Sequence, residues 1–377
     1  MSTESMDPEQ EPQRRADRPL RFRATLDVIP AYQPGKPPAP VEGVTSYKMS
    51  SNENPYPPLP SVAAAVADEL TSMNRYPDPS MHELRERLAR ELGVQPDELI
   101  IGNGSSGVLS QIVNACVDAG DEVIYAWRSF ELYPICVAAA GGRSVQVPLT
   151  ADGRHDLPAM AAAVHAATRI VIVCTPNNPT GPAVGSGELA DFLAGVPADV
   201  LVLIDEAYLE FVTASDAIDS LALYRAHPNL VLLRTFSKAY GLAGLRVGYA
   251  IAHPHVAAAL AKLGLPFVVT NLAQRAAVAS LDVRGELELR VKSLVAQREQ
   301  MVVALAEQGW DIPDTQANFV WLPLGQDAVE FAAAATARGL SVRPFPGDGV
   351  RVSIDEPVAN ETFLEVAAAF RLGMPRA

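Results

Sequence analysis

The sequence is short of cysteine and of basic residues. Each shortage excludes a class of protein. The three cysteines among 377 residues, Cys116, Cys136 and Cys174, stand in apolar surroundings without paired or metal-ligand spacing. They predict reduced core thiols and no metal site. Lys and Arg number 30 against 44 Asp and Glu, and the net charge of −14 argues against a nucleic-acid-binding protein. An anionic small molecule stays possible, because local arginines decide its binding.

Long apolar runs are missing as well. No uninterrupted apolar span is long enough to cross a bilayer, and the N-terminus lacks the apolar stretch of a signal peptide. We therefore expect no membrane partner and a cytoplasmic protein. Residues 1–19 are polar and rich in Pro and Glu, which predicts a disordered tail.

The rest of the chain has the pattern of a large α/β protein. Apolar runs alternate with helical spacing from residue 98 to 250, which predicts a doubly wound, mostly parallel or mixed sheet. A long helical stretch at about 273–308 suits a connection to a smaller domain, and 315–322 alternates like a strand. We predict a large domain over residues 50–274. A small α+β domain would combine residues 275–377 with the N-terminal segment 20–49.

Lys238 is the centre of the chemistry that the sequence predicts. It follows a strand-like run in the stretch LRTFSKAYGLAGLR (233–246), beside the hydroxyls of Thr235 and Ser237 and ahead of Arg246. Hydroxyls and an arginine indicate a bound anion, most simply a phosphate. An amine beside a phosphate site is typical of enzymes that hold pyridoxal phosphate as an imine. The alternative is a surface lysine in a Gly-rich turn.

A glycine-rich turn offers a second phosphate-binding element. Residues 102–107, GNGSSG, satisfy the G-x-G-x-x-G pattern of dinucleotide-binding folds, so a nicotinamide-dependent dehydrogenase is an alternative. That fingerprint requires an acidic residue at the end of the next strand, whereas Asp121 and Glu122 precede it. Both hypotheses share one expectation: Ser105 and Ser106 lie at a helix N-terminus that presents N–H groups to a phosphate.

Two further apolar runs end in polar motifs. Residues 169–174 lead into TPNNPTG (175–181), which includes Asn178, and 200–204 lead into DEAY (205–208). A carboxylate at the end of a buried strand, here Asp205, is costly unless it is paired. The N–H of a pyridinium ring would be such a partner.

Together, NNPTG, DEAY and SKAYG resemble the class I/II aminotransferases, in their histidinol-phosphate and aromatic branch, over about residues 20–370. The segments WRSFE (127–131) and TQANFVWLP (315–323) are similar to the aromatic amino acid aminotransferases of actinobacteria. The resemblance implies the type I fold of pyridoxal-phosphate-dependent transferases. It also implies a homodimer and an amino transfer in two half-reactions.

The resemblance assigns roles to the residues of these motifs. Lys238 would hold the cofactor as an imine and move the proton at the substrate Cα. Asp205 would bind the ring nitrogen, and Phe130 would stack on the ring. The phenolic oxygen would be bound by Asn178 and Tyr208. The phosphate would be held by Ser105, Ser106, Thr235, Ser237 and Arg246, with Tyr76 contributed by the partner subunit.

Substrate binding is predicted from the two ends of the chain. Arg351 matches the arginine that binds the substrate α-carboxylate, with a surface ion pair as the alternative. Tyr32 in YQPG and Asn54 in NENP would lie by the substrate mouth, although both segments are also typical of connecting loops. Arg343 is a second candidate for substrate contact, and Trp127 would join Tyr32 and Phe130 in an aromatic pocket.

The sequence therefore predicts an aromatic amino acid:2-oxoglutarate aminotransferase. Its small-molecule products would be aromatic oxo acids and L-glutamate. The alternative within the family is histidinol-phosphate aminotransferase, since Arg343 and Tyr32 could equally hold a substrate phosphate. A non-catalytic regulator built on the same domain would need a fused DNA-binding module. We expect that residues 1–19 leave no room for one.

Overall fold

A mixed sheet of seven strands organises the chain in the computed structural model, which describes residues 20, 22–27, 29–37 and 42–373. The tail predicted over 1–19 lies outside the described residues. The strands, β1 to β12, are Tyr47–Lys48, Leu99–Gly102, Glu122–Trp127, Arg143–Pro148, Thr168–Cys174, Leu201–Asp205, Leu230–Thr235, Gly248–Ala252, Phe319–Leu322, Leu340–Ser341, Arg343–Phe345 and Gly349–Ser353. The helices, α1 to α12, are Pro60–Glu69, His82–Leu92, Gly104–Cys116, Leu132–Ala140, Leu157–Ala162, Ser186–Gly195, Ser220–Ala226, Pro254–Ala261, Asn271–Asp282, Arg284–Glu307, Ala328–Ala337 and Pro357–Gly373.

The strand order of the main sheet is β2-β8-β7-β6-β5-β3-β4, and its neighbours are parallel except where β8 pairs antiparallel with β2 and β7. Its central strands are buried on both faces because helices cover both, which is why they read as continuous apolar runs. In β3, Val123 and Tyr125 pack in the cluster of α3 and α4, while Ile124 and Ala126 face the larger core on the other side. The predicted α/β mixed sheet is confirmed. The carboxyl ends of β2, β3, β5, β6 and β7 meet at one edge.

Two smaller sheets lie outside this one. Strands β9, β12 and β11 form an antiparallel sheet in the order β11-β12-β9. Strand β1 pairs in parallel with β10, with Tyr47 opposite Leu340. The N-terminal segment thereby contacts a strand that lies far along the chain, in the region predicted as the small domain. The domain boundaries themselves stay a prediction.

Three predicted elements differ from the observed ones. The long helical stretch is two helices, α9 and α10, because Val283 leaves the helical conformation with φ −110° and ψ 30°. The strand predicted over 315–322 is only β9, since Thr315 Oγ1 donates a hydrogen bond to the Phe319 carbonyl at 2.7 Å and bends the chain. The segment 340–343 is divided between β10 and β11, which belong to different sheets.

The described residues also bear on membranes, metals and thiols. Among them, no helix has the length and apolarity needed to span a bilayer. The same residues contain no cluster of His, Cys, Asp and Glu placed to bind a metal ion. Cys136 and Cys174 are buried free thiols, whereas Cys116 is half-buried.

Candidate active site

A cavity of about 300 Å³ lies at the carboxyl edge of the main sheet, between that edge and strands β11 and β12. It is lined by the last residues of β5, β6 and β7, as expected for a ligand site of an open α/β sheet. Most of the predicted site residues meet in it, from distant parts of the chain: Tyr32, Ser105, Ser106, Phe130, Asn178, Asp205, Tyr208, Thr235, Ser237, Lys238, Arg246, Arg343 and Arg351.

Asp205 ends β6 and is 4% exposed. Its Oδ2 accepts a hydrogen bond of 2.7 Å from the Tyr133 hydroxyl, and its Oδ1 accepts one of 3.3 Å from the Ala207 amide. Burial raises the pKa of the Asp205 carboxyl to about 6, although these two hydrogen bonds oppose the rise. The carboxylate form of Asp205 therefore still predominates at neutral pH, and it can accept a further hydrogen bond.

Lys238 follows β7 and points into the same cavity. Its Nζ donates a hydrogen bond of 3.0 Å to the Ser51 carbonyl and lies 5.8 Å from the centroid of the Tyr208 ring. Burial, together with the positive charge of Arg351, lowers the pKa of the amine to about 7. A large fraction of this amine is thus unprotonated near neutral pH, which is the form that acts as a nucleophile or base.

An anion-binding cradle forms where the N-terminus of α3 meets Arg246. Gly104 has φ +80°, and a Cβ there would lie 2.5 Å from an Arg246 guanidinium nitrogen. A Cβ on Gly248 would lie 2.3 Å from the Ser105 backbone nitrogen. Arg246 Nη1 also donates to the Ser237 hydroxyl at 3.3 Å. The two glycines thus let a guanidinium, a hydroxyl and helix N–H groups converge on one point, as phosphate binding requires.

A comparison with protein families decides the identity of the chain. Residues 45–367 match the family described as aminotransferase class I and II. The chain belongs to this family. The dehydrogenase hypothesis drawn from residues 102–107 is therefore wrong, because the glycine-rich turn serves an aminotransferase fold and not a dinucleotide-binding one.

Two curated relatives of this aminotransferase are named aromatic amino acid aminotransferases. The aromatic amino acid aminotransferase of Streptomyces avermitilis is 55% identical over 93% of this chain and 98% of its own length. That of Thermobifida fusca is 51% identical over 94% of the chain and 98% of its own. A solved structure, the histidinol-phosphate aminotransferase of Sinorhizobium meliloti in complex with pyridoxal-5'-phosphate, superposes with a TM-score of 0.84 at 29% identity. It covers 94% of this chain and all of its own.

Arg351 of the aminotransferase lies on β12 and is 8% exposed, so the alternative of a surface ion pair is wrong. Its guanidinium donates to the Asn178 side-chain oxygen and, at 2.7 Å, to the Ser50 carbonyl. Its Nε is buried and has no hydrogen-bond partner among the described residues. A buried guanidinium with a donor to spare fits a carboxylate ligand.

Sequence analysis missed two residues that complete the site. Asn52 has φ +53°, lines the cavity and donates a hydrogen bond of 2.9 Å from Nδ2 to the Tyr208 hydroxyl. Tyr133, fully buried on α4, orients Asp205. Asn52 stands in the NENP motif, so its place was visible in the sequence. The contact of Tyr133 depends on packing between α4 and β6, which no local pattern reveals.

Three predicted positions lie elsewhere. Asn54 does not line the cavity, because its Nδ2 donates to the Ala239 carbonyl at 2.9 Å and its Oδ1 accepts from the Tyr56 amide. Trp127 lines a separate groove and not the cavity, so it is not part of the aromatic pocket. Tyr76 is 82% exposed and stacks on Phe267 at 4.6 Å, away from the cavity of its own chain. Its contribution to a partner subunit stays a prediction.

Proposed function

We propose that this aminotransferase depends on pyridoxal 5'-phosphate and moves the amino group between aromatic amino acids and 2-oxoglutarate, giving aromatic oxo acids and L-glutamate. One observation carries the proposal: a single cavity contains a buried acid (Asp205), an amine of lowered pKa (Lys238) and a buried arginine with a spare donor (Arg351). The names of the actinobacterial relatives support the choice of aromatic substrates.

The residues of the cavity fit the cofactor. Asp205, buried and anionic, would accept the proton of the ring nitrogen. Tyr208 and Asn178 would bind the phenolic oxygen, and Phe130 would stack on the ring. The cradle made by Arg246 and the N-terminus of α3 would hold the phosphate, with the hydroxyls of Ser105, Ser106, Thr235 and Ser237 beside it. Lys238 would hold the cofactor covalently.

The protein side of the chemistry then consists of positioning and proton transfer. Bound pyridoxal phosphate supplies electron withdrawal that makes the substrate Cα–H acidic. Arg351 would fix the substrate by its α-carboxylate through two donors. Lys238, with a pKa of about 7, would accept the proton from the substrate Cα and deliver it to the imine carbon of the cofactor.

The walls of the cavity favour an aromatic side chain. Tyr32, Phe130 and Phe345 line it together, and such rings bind an aromatic side chain by edge and face contacts. Arg343 also lines the cavity, where it could hold a substrate phosphate, and this position favours the second candidate, histidinol-phosphate aminotransferase. The similarity to the Sinorhizobium meliloti enzyme points the same way.

We also propose a homodimer in the cytoplasm. Exposed apolar side chains cluster around Tyr76 and Phe267, and they include Leu263, which is 48% exposed, and Leu265, which is 71% exposed. Burying them against a second copy would remove a large apolar area from water and bring Tyr76 to the cradle of the partner. Free thiols favour a reducing compartment.

The test is a comparison of catalytic efficiencies. We expect kcat/KM with phenylpyruvate to exceed that with imidazole-acetol phosphate, each measured with L-glutamate as donor and with Lys238→Ala as the blank. A higher efficiency on imidazole-acetol phosphate would replace the aromatic assignment by the second candidate. No transfer to either oxo acid by the wild type would reject both.

A further inference from the structure

We propose that Glu131 determines the side-chain specificity of this site. Its carboxylate neutralises Arg343 and so prepares the outer part of the cavity for uncharged side chains, whereas a substrate with a distal carboxylate takes Arg343 by displacing Glu131. The inference rests on the proposed function and deepens it, because it concerns how one cavity accepts both an aromatic oxo acid and 2-oxoglutarate.

The ion pair joins two distant parts of the chain inside the cavity wall. Glu131 directly follows Phe130 and precedes α4, while Arg343 is the first residue of β11, 212 residues later. Arg343 Nη2 donates to Glu131 Oε2 at 2.7 Å. Both side chains line the cavity and are mostly buried, at 14% exposure for Arg343 and 28% for Glu131. The pair is therefore a feature of the binding site and not of the outer surface.

Because Glu131 pairs with Arg343, Arg351 is left without an acidic partner among the described residues in this part of the cavity. Burial lowers the pKa of the Arg351 guanidinium, the charge of Arg343 adds to that effect, and the charge of Glu131 opposes it. The three groups are thus close enough to act on one another. With the α-carboxylate on Arg351 and Arg343 cancelled by Glu131, the side-chain region has no net charge.

Aromatic rings surround this neutral region. The Arg343 guanidinium lies 5.2 Å from the centroid of the Phe345 ring, and Phe130 and Tyr32 line the same cavity. An uncharged aromatic side chain can pack on these rings while the ion pair stays closed, so neither charge is left without a partner.

A distal carboxylate has another way to bind. The distal carboxylate of the substrate is chemically equivalent to that of Glu131. It can therefore replace Glu131 on the Arg343 guanidinium with no net loss of an ion pair. Glu131 is the more exposed partner, and a groove that both it and Arg128 line gives it room. A phosphate monoester carries more negative charge and must approach Glu131 itself, so the same carboxylate disfavours it.

A purely structural role for the ion pair makes a different prediction. Arg128 and Asp348 also join the turn after β3 to the segment around β11, with Arg128 Nε 2.6 Å from Asp348 Oδ2. The side-chain exposures of this pair, 25% and 42%, are somewhat above those of the Arg343–Glu131 pair. Both residues line the groove that Trp127 also lines, and neither lines the cavity. Asp348→Asn is therefore a matched control, since it removes one acid from a comparable ion pair outside the site.

The experiment compares kcat/KM for 2-oxoglutarate and for phenylpyruvate in the full-length holoenzyme and its variants. In Glu131→Gln, where no carboxylate competes for Arg343, we expect the ratio of 2-oxoglutarate to phenylpyruvate efficiency to rise roughly tenfold. Imidazole-acetol phosphate should gain in the same direction. In Asp348→Asn the ratio should stay within about twofold of the wild type, as for an exposed pair. Arg343→Gln should lower the ratio roughly tenfold.

Each other outcome contradicts the proposal. An unchanged ratio in Glu131→Gln removes its role in specificity, and an equal shift in Asp348→Asn assigns the pair to structure alone. If Glu131→Gln does not fold, Arg343→Gln decides, because an unchanged ratio there shows that no substrate carboxylate uses Arg343. Failure of the proposed function looks different: the wild type itself would not turn over phenylpyruvate.

Discussion

The two ends of the cavity are built in different ways. The inner end is formed by neighbouring strands of one sheet: Asp205 is the last residue of β6, and Lys238 and Arg246 lie on the connection from β7 to β8. The outer end, with Arg351 and Arg343, depends on a second sheet and on contacts such as that from Arg351 to the Ser50 carbonyl, 301 residues away. The inner end therefore has its geometry fixed by strand pairing. The outer end requires the correct packing of separate parts of the chain.

This difference predicts two classes of variant. Changes at the inner end should affect cofactor retention and all substrates alike. Changes at the outer end should affect substrate efficiencies and leave cofactor retention unaltered.

Lys238→Ala should have the largest effect and would test the inner end most directly. Loss of the amine would remove both the proposed covalent attachment and the proposed proton-transfer group, so kcat should fall by about 10³-fold or more for every substrate. Steady-state assays with phenylpyruvate and 2-oxoglutarate measure it. Lys262→Ala, an exposed lysine at the end of α8, serves as the control. Residual activity within tenfold of the wild type would contradict the assignment of Lys238.

Gly248→Ala should weaken phosphate binding by the anion-binding cradle. Its Cβ would lie 2.3 Å from the Ser105 nitrogen, so the N-terminus of α3 must move away from Arg246. Losing one charge-assisted hydrogen bond to the phosphate should reduce cofactor affinity by about 10- to 100-fold. Titration of the apo protein with pyridoxal phosphate measures this affinity. Gly244→Ala is the matched control, because a Cβ there meets no atom within 4 Å. Equal affinities of the two variants would show that the close approach is unimportant.

Arg351→Lys should act mainly on the outer end. Lysine keeps the charge but not the two-pronged donor geometry, so kcat/KM should fall roughly tenfold to fiftyfold for phenylpyruvate and 2-oxoglutarate alike. Cofactor affinity should change far less, because lysine keeps a positive charge beside Asn178 and Lys238. A matched Arg128→Lys variant, outside the cavity, should leave both quantities unchanged. If cofactor affinity fell as much as kcat/KM, the distinction between the two ends of the cavity would be wrong.

Tyr133→Phe should give the smallest effect, visible mainly in the pH dependence. The Tyr133 hydroxyl stabilises the Asp205 carboxylate, so removing it should raise the pKa of Asp205 further above about 6. Cofactor affinity of the apo protein should then decline at a higher pH on the acid side, with a few-fold loss near pH 6 and little loss at pH 8. Tyr125→Phe, a buried tyrosine that does not line the cavity, is the control. An unshifted acid limb would exclude Tyr133 as a positioning residue.

The same contrast explains what could be predicted from the sequence. Asp205, Asn178 and Lys238 each follow an apolar run, and parallel strands bring such positions to one edge whatever the rest of the chain does. Of the two asparagines in the NENP motif, Asn52 and not Asn54 lines the cavity, and Asn52 has a φ of +53°. That choice, like the contact of Tyr133 with Asp205, is made by tertiary packing.

Local patterns failed wherever the partner of a segment lay far along the chain. The segment 315–322 alternates correctly for a strand, yet the backbone N–H of Gln316 donates to the Gly181 carbonyl, so this residue does not pair in the sheet. Trp127 is the last residue of β3, at the sheet edge where ligand sites collect, but it lines a separate groove and not the cavity. Neither outcome is encoded by the periodicity of the segment itself.

The hydrogen bond from Arg351 to the side chain of Asn178 couples the two ends that strand pairing and sheet packing build separately. Arg351 lies on the antiparallel sheet, whereas Asn178 follows β5 of the main sheet, so this one hydrogen bond spans the seam between the two sheets inside the cavity wall.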